Sequence, residues 1–188
     1  MSASRAANPF VRSIALVVGV ARRKRFRLAL IGGFALPFHG VQRATGDVNF
    51  LVAAAGAAAL HDALVAAGAR PLHRSADAAN YAGTTKLSPV DFIIARRERA
   101  HDMLRRATSR LLRGARMRIP VVDAEALIGL KLQALVNAPS RRAREEADIE
   151  ALFAAHGRAL DVTILRDYYR VFDREADLDR LLATVGEG

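Results

Sequence analysis

The stretch Ile31–Val52, IGGFALPFHGVQRATGDVNFLV, constrains the fold of this chain more than any other segment. An apolar run ends at a glycine pair, and a second apolar segment begins directly after Asp47. Because side chains alternate across a strand, Asp47 and Asn49 are expected on one face of that second strand. The stretch therefore predicts two strands of one sheet, joined through a glycine turn and a short helix, with polar side chains gathered on a single face.

Apolar periodicity elsewhere predicts a mixed α+β chain. The pattern favours a first amphipathic helix from about residue 8 to 24, and Asp123 and Gly157 are typical helix-end residues. We expect a small mixed β-sheet core with helices over residues 1–95 and a mainly helical C-terminal lobe over 96–188, together forming one unit. The remaining strands are predicted at 27–32, 47–53, 70–75, 80–87 and 90–95, with an edge strand at 115–122, and the remaining helices at 55–68, 124–136, 141–157, 161–172 and 174–185.

The charge balance indicates a polyanionic partner. The chain has 29 Lys+Arg against 19 Asp+Glu, a net charge of +10, and arginine is dense over residues 96–118. Such a surplus favours nucleic acid, contacted through its phosphates, and the alternative is an arginine- and alanine-rich proteome encoded by a GC-rich genome. The chain has no cysteine, which excludes a thiolate metal site, and no apolar run of membrane-spanning length, so we expect a cytoplasmic protein with no membrane partner.

Three oxygen-bearing side chains on two predicted strands are candidate metal ligands. If the strands at 47–53 and 90–95 are neighbours, then Asp47, Asn49 and Asp91 surround one point. Carboxylate and amide oxygens suit Mg²⁺, which binds one or two protein carboxylates together with phosphate oxygens and water. The alternative is that Asp47 caps a turn and Asp91 is a strand-edge acid. The pair Gly32-Gly33 likewise suits an approach of backbone N–H groups to phosphate, or is simply a tight turn.

The order of four motifs resembles a known family. The motifs are GGFALPFHGVQRATGDVN, then VDFII, then EALIGLKLQAL, then RRAREEADIEALF, spanning about residues 27–155. This order is similar to that of AbiEii-type nucleotidyltransferases, minimal members of the DNA polymerase beta-like superfamily, many of which are toxins of toxin–antitoxin and abortive-infection systems. The last motif departs from the common family form Arg-x-Lys-Asp-x-x-Asp-Ile, because this chain has Arg142, Arg144, Glu145 and Asp148-Ile149.

The resemblance implies transfer of NMP from NTP to a hydroxyl acceptor with loss of pyrophosphate. The expected partners are an NTP, tRNA or other RNA (most plausibly a tRNA 3′ end), and an antitoxin protein. The resemblance assigns Asp47, Asn49 and Asp91 to two Mg²⁺ ions and places Asp91 nearest the attacking group. The implied catalytic residues are Asp47, Asp91, Lys131 and Asp148, and the implied nucleotide-binding residues are Gly32, Gly33, Arg43, Thr45 and Lys131.

Each of the less specific assignments has a structural alternative. Lys131 is expected either to reach the triphosphate or to snorkel from its helix. Asp148 is expected to orient Lys131 or Arg144, or to pair along the helix with Arg144 at i,i+4 spacing. His39 more often makes a structural hydrogen bond beside a glycine turn, and Arg43 either binds phosphate or braces the loop.

Asn49 stands where the family has an acid shared by both metals. Its amide oxygen can coordinate Mg²⁺ but carries no charge, so we expect weakened metal binding and impaired transfer activity. Natural loss of activity, catalysis with one well-bound metal, and a deliberate Asp→Asn exchange all fit this residue. The functional alternatives are a non-catalytic nucleotide- or RNA-binding module of the same fold, a protein-nucleotidylating enzyme, and an interaction protein that docks an acidic partner.

Overall fold

The computed structural model describes residues 8–112 and 115–186 and confirms the α+β class: helices accompany a mixed seven-stranded sheet. Residues 1–7 of the first expected domain, and residues 113–114 of the arginine-rich segment, lie outside the described residues. The strands are β1 Leu28–Ile31, β2 Val48–Ala53, β3 Arg70–Arg74, β4 Ala78–Ala82, β5 Val90–Ala95, β6 Thr108–Leu112 and β7 Met117–Val121. The helices are α1 Pro9–Lys24, α2 Ala57–Ala66, α3 Glu98–Arg106, α4 Ala124–Asn137, α5 Arg142–His156, α6 Val162–Arg170 and α7 Glu175–Gly186.

The chain divides into two compact units. The first contains the residues up to Phe34 together with Ala44–Val122, and the second contains Ala35–Arg43 together with the residues from Asp123 onward. This division differs from the expected boundary at residue 95, because β6 and β7 continue the sheet of the first unit. The short 3₁₀ helix Leu36–His39 belongs to the second unit, although it is encoded between β1 and β2.

The sheet of the first unit has the strand order β3-β4-β5-β2-β1-β7-β6. β2 pairs in parallel with β5, β1 pairs in parallel with β7, and the other neighbours are antiparallel. The strand expected at the edge is β7, but it lies inside the sheet between β1 and β6. Pro120 is tolerated there because β1 and β7 share a single register pair, Leu30 with Val121.

Phe50 on β2 and Phe92 on β5 lie on one buried, apolar face of this strand pair. Phe50 and Phe92 are register partners, both are almost fully buried, and their ring centroids are 6.3 Å apart. The residues that alternate with them, Asn49 and Asp91, are half-buried. The period-two pattern of the sequence therefore places the polar side chains of both strands on one face of the sheet.

Helix α1 confirms the predicted amphipathic first helix. Asn8 caps it by accepting a hydrogen bond from the Phe10 N–H (2.9 Å), and Pro9 occupies the first helical position. The apolar face is buried at positions spaced three and four apart, at Ile14, Val17, Val18 and Ala21.

The second unit packs four helices with a short 3₁₀ segment. Asp123 caps α4 by accepting a hydrogen bond from the Ala126 N–H (2.8 Å), as its position in the sequence predicts. Gly129 allows α4 and α6 to approach closely, since a Cβ at this position would lie 2.7 Å from the Tyr168 ring. Gly157 ends α5 with φ +52°, a conformation that glycine adopts without strain. Within the described residues, no helix combines the length and the hydropathy that crossing a membrane requires.

Candidate functional site

Asn49 and Asp91 form the centre of a polar row on the sheet of the first unit. They are direct register partners in the parallel pair β2–β5, so both side chains project from the same face. Asp47 lies two residues before Asn49, immediately ahead of β2, and all three residues are half-buried. The structure therefore brings these three predicted side chains to one region of the sheet, as the sequence pattern suggested if the strands were neighbours.

A threonine orients the first acid of this row. The Thr45 hydroxyl donates to Asp47 Oδ1 at 2.8 Å, across the turn that precedes β2. Thr45 was expected at the nucleotide, and in this structure its hydroxyl hydrogen is committed to Asp47. This hydrogen bond involves Asp47 Oδ1 and not its second carboxylate oxygen.

A fourth polar side chain extends the row, and the sequence reasoning missed it. Asn80 on β4 is the antiparallel register partner of Asp91, and it is also half-buried. Laterally the row runs Asn49, Asp91, Asn80 across three adjacent strands. The signal in the sequence was a single polar residue, Asn80, in the middle of the short apolar segment Ala78–Ala82.

The glycine pair follows β1 as a single 3₁₀ turn, Gly32–Phe34. Gly32 has φ +67°, and a Cβ at this position would lie 3.1–3.2 Å from the side-chain atoms of Asn49. Two independent constraints therefore require glycine here: the left-handed backbone and the close approach of Asn49. The backbone of the turn consequently runs directly against the polar row.

The donor set of the row suits one magnesium ion better than two. Asp47 and Asp91 supply two carboxylates, and Asn49 supplies a neutral amide oxygen. Two carboxylates completed by phosphate oxygens and water are a usual Mg²⁺ site. Over the described ranges, no cluster of three or more His, Cys, Asp or Glu side chains is able to hold a metal. The residues therefore fit a single ion, with one negative charge fewer than a third acid would give.

The second unit contains a buried cluster of charged side chains on α4 and α5. Lys131 Nζ lies 2.5 Å from Asp148 Oδ2 and 3.0 Å from Glu145 Oε2. All three residues are about 4% exposed, so Lys131 does not snorkel to solvent. Glu145 was not among the predicted residues, although it stands three positions before Asp148 and hence on the same helical face.

Three arginines surround this cluster. Arg43 Nε lies 3.3 Å from Asp148 Oδ1, which is an ion-pair distance, but the N–H is not aligned for a hydrogen bond. Arg144 and Arg141 contact Glu145 Oε1 at 3.5 and 3.7 Å. Asp148 is thus paired with Lys131 and Arg43, and the expected alternative of an Asp148–Arg144 pair along the helix is not formed. Of the basic side chains bound to Asp148, Arg43 is the more accessible, at 23% exposure.

His39 packs beside a second histidine. It is buried, and its ring centroid lies 5.4 Å from that of His156 at the end of α5. His156 Nε2 is buried and has no hydrogen-bond partner among the described residues. The pair fastens the 3₁₀ helix Leu36–His39 to α5, which agrees with a structural role for His39.

Comparison with solved structures places the fold among the nucleotidyltransferases. No protein-family model matches the chain, and no curated protein matches it in sequence. ANT(2")-Ia in complex with adenylyl-2"-tobramycin superposes with a TM-score of 0.62 at 14% identity, over 86% of this chain and 98% of that one. The lincosamide antibiotic adenylyltransferase LnuA, with lincomycin bound, gives 0.56 at 12% identity over 77% and 96%. An antigenic nucleotidyltransferase-like protein from Paracoccidioides brasiliensis gives 0.54 at 12% identity over 95% and 94%.

Proposed function

We propose that this chain is a nucleotidyltransferase of the DNA polymerase beta-like superfamily and of the AbiEii type. It transfers NMP from NTP to a hydroxyl group: the hydroxyl oxygen bonds to the α-phosphorus, the bond to the β-phosphate oxygen breaks, and pyrophosphate leaves. The observation that carries the proposal is the lateral placement of Asn49 and Asp91, with Asp47 beside them, on the sheet of a nucleotidyltransferase fold.

The proposed reaction divides the work among the residues of the row. Asp91 would serve as the base that accepts the proton of the attacking hydroxyl or as a metal ligand beside that hydroxyl, and Asp47, oriented by Thr45, would serve as a metal ligand beside the phosphates. Asp47, Asn49 and Asp91 would hold Mg²⁺, which would supply a lower pKa for the attacking hydroxyl and positive charge beside the phosphates. The backbone of Gly32 and Gly33 contacts the phosphates, since no side chain at Gly32 obstructs the approach.

The basic side chains of the buried cluster in the second unit are proposed to bind the phosphates of the nucleotide. Lys131 is held by Glu145 and Asp148, so its charge is fixed in one place. Arg43 shares Asp148 and retains exposed surface, which favours it over Lys131 for direct phosphate contact. Asp148 is then a positioning residue that acts through both basic side chains.

Asn49 is proposed to reduce the activity of this chain. The side chain is nearly the same shape as aspartate and lies against Gly32, so the site keeps its form and loses only charge. A site with one carboxylate fewer attracts a divalent ion less strongly. The loss is greater for a pair of Mg²⁺ ions than for a single ion.

The acceptor we propose is RNA, most simply a tRNA 3′ end, modified in the cytoplasm by a toxin with a cognate antitoxin. The net charge of +10 supports a polyanionic acceptor. The similarity to ANT(2")-Ia and LnuA favours an antibiotic hydroxyl as the second candidate. An aminoglycoside is itself a cation at neutral pH, so the charge of this protein opposes that choice.

The test is a transfer assay with the Asn49→Asp protein. It is incubated with each α-labelled NTP, Mg²⁺ and total tRNA, and in parallel with tobramycin or lincomycin. Labelled RNA that disappears in the Asn49→Asp/Asp91→Asn variant supports the proposal. Labelled antibiotic instead of RNA supports the second candidate, an antibiotic hydroxyl as acceptor. Labelled protein indicates protein nucleotidylation. Absence of any labelled product overturns the transferase proposal and favours a non-catalytic binding module.

A further inference from the structure

A groove in the first unit gathers arginine side chains that the polar row does not use. Its volume is about 470 Å³, and five arginines line it. None of the residues lining it is acidic. We call this cavity the arginine groove, and its arginines are Arg22, Arg25, Arg27, Arg105 and Arg118.

The arginines converge from separate parts of the fold. Arg22 ends α1 and Arg25 follows it, where cations favourably meet the negative end of the helix dipole. That local effect does not account for Arg27 before β1, Arg105 on α3 or Arg118 on β7. Folding therefore concentrates positive charge at a place where helix stabilisation alone does not require it.

Two of these arginines brace the groove and two are open. Arg22 Nη2 donates to the Arg118 carbonyl oxygen at 2.5 Å, and Arg118 donates to Ser109 Oγ and to the Ser109 carbonyl oxygen at 3.1 and 2.9 Å. In the described part of the chain, the side chains of Arg25 and Arg27 make no hydrogen bond or ion pair. Arg25 also has φ +56°, a left-handed conformation unusual for a residue with a side chain.

The fifth arginine is already paired. Arg105 contacts Glu98 at 2.7 Å and also pairs with Asp102 on the same helix. The arginine donors left to meet a phosphate thus belong mainly to Arg25 and Arg27, and the same groove is lined by apolar side chains such as Val18, Leu28 and Leu104.

We propose that the arginine groove binds the phosphodiester backbone of single-stranded RNA, with sugars or bases against its apolar floor. The groove and the polar row lie toward opposite ends of β1, because Leu28 lines the groove whereas Ile31 is the register partner of Asn49. Two strand residues, Ala29 and Leu30, lie between these positions, so the two are about 10 Å apart along β1, and their odd spacing puts their side chains on opposite faces of the strand. The groove therefore contacts the body of the RNA and not its reacting end. This inference rests on the RNA acceptor of the proposed function.

The test is RNA binding by the full chain, measured as fluorescence anisotropy of an end-labelled single-stranded 12-mer over a salt series without NTP. The test variant is Arg25→Asn/Arg27→Ala, since Asn tolerates the left-handed backbone and neither side chain has a partner to lose. The matched control is Arg70→Asn/Lys86→Ala, which removes two exposed charges elsewhere in the same unit. We expect the test variant to bind on the order of tenfold more weakly at 0.15 M salt, with a log–log salt slope shallower by about 1.4, because each lost phosphate contact removes about 0.7.

The outcomes separate this inference from the proposed function. Weaker binding in the test variant but not in the control supports the groove. Equal loss in both variants, or no loss in either, overturns it in favour of diffuse charge. If the Asn49→Asp protein labels RNA while the groove variant binds like the control, the groove fails and the transferase stands. If the groove variant loses binding while no RNA is labelled, RNA binding stands and the transfer reaction fails.

Discussion

Asn49 and Asp91 are direct partners in the register of two parallel strands, and the Asn49 side chain packs against the backbone of Gly32. The amide of Asn49 therefore lies beside two carboxylates, that of Asp91 on the neighbouring strand and that of Asp47 two residues earlier in the chain. The Asn49 side chain has nearly the shape of aspartate, and its neighbours Asp47 and Asp91 offer oxygen ligands. The charge at position 49 therefore decides how strongly the row attracts a divalent ion.

Replacing Asn49 by aspartate is expected to restore metal affinity. The added charge lies a few ångströms from an ion bound by Asp47 and Asp91, so we expect Mg²⁺ to bind at least about tenfold more tightly. Isothermal titration of the full chain with MgCl₂, without nucleotide, measures this. Asn80→Asp is the matched control, because it adds the same charge on the opposite side of Asp91, about 10 Å from Asn49. An equal gain in both variants, or none in Asn49→Asp, contradicts the assignment.

Gly32→Ala is expected to destabilise the first unit. The left-handed φ of +67° alone costs about 1–2 kcal/mol for a residue with a Cβ, and the contact with Asn49 adds to that cost. Urea unfolding followed by circular dichroism measures the free energy of unfolding. Gly46→Ala is the control, since a Cβ there meets nothing within 4 Å and its φ is not positive, so a change within about 0.5 kcal/mol is expected. Equal stabilities for the two variants would show that Gly32 is not constrained.

The sequence predicted the parts of the first unit better than their arrangement. Period-two alternation located β2 and β5 and put Asn49 and Asp91 on the face opposite Phe50 and Phe92, but β3 and β4 separate these strands in sequence. Their parallel pairing depends on contacts between distant segments that local pattern does not encode. The strand at 115–122 was likewise expected at an edge, but β7 lies inside the sheet, where its Pro120 is tolerated because β1 and β7 share only one register pair.

Asn80 and Glu145 were missed for different physical reasons. The strand containing Asn80 was placed at 80–87, but it ends at Ala82 because the chain turns after Gly83, where the Thr84 N–H bonds to the Leu87 carbonyl at 2.8 Å. Glu145 lies in a helix rich in charges, and such residues are usually solvated. Its burial follows from packing against Lys131 across two helices, which the sequence does not show.

Lys131→Met is expected to lower the stability of the second unit by about 3–5 kcal/mol, because it leaves Glu145 and Asp148 buried with one counter-charge fewer. Urea unfolding of the full chain measures the loss. The control is Arg142→Met, which removes the exposed Arg142–Glu146 pair (3.2 Å) on α5 and is expected to change stability by less than about 1 kcal/mol. A loss for Lys131→Met no larger than that of the control would mean that the cluster does not hold α4 to α5.

Stability is expected to fall above about pH 10 through Tyr169. Burial raises the pKa of the Tyr169 phenol well above its ordinary value of 10.0, the Asp177 carboxylate raises it further, and Arg174 lowers it. Because the folded pKa is the higher one, the stabilisation is fully present below the unfolded pKa and is lost as pH rises through the interval between the two values. Between pH 8.5 and 10.5 this group should remove about 0.8 kcal/mol. Urea unfolding of the unaltered chain and of Tyr169→Phe at both pH values measures the difference, in which the titration of lysines cancels. If the two proteins lose stability equally over this range, the Tyr169 phenol ionises as readily in the folded chain as in the unfolded one.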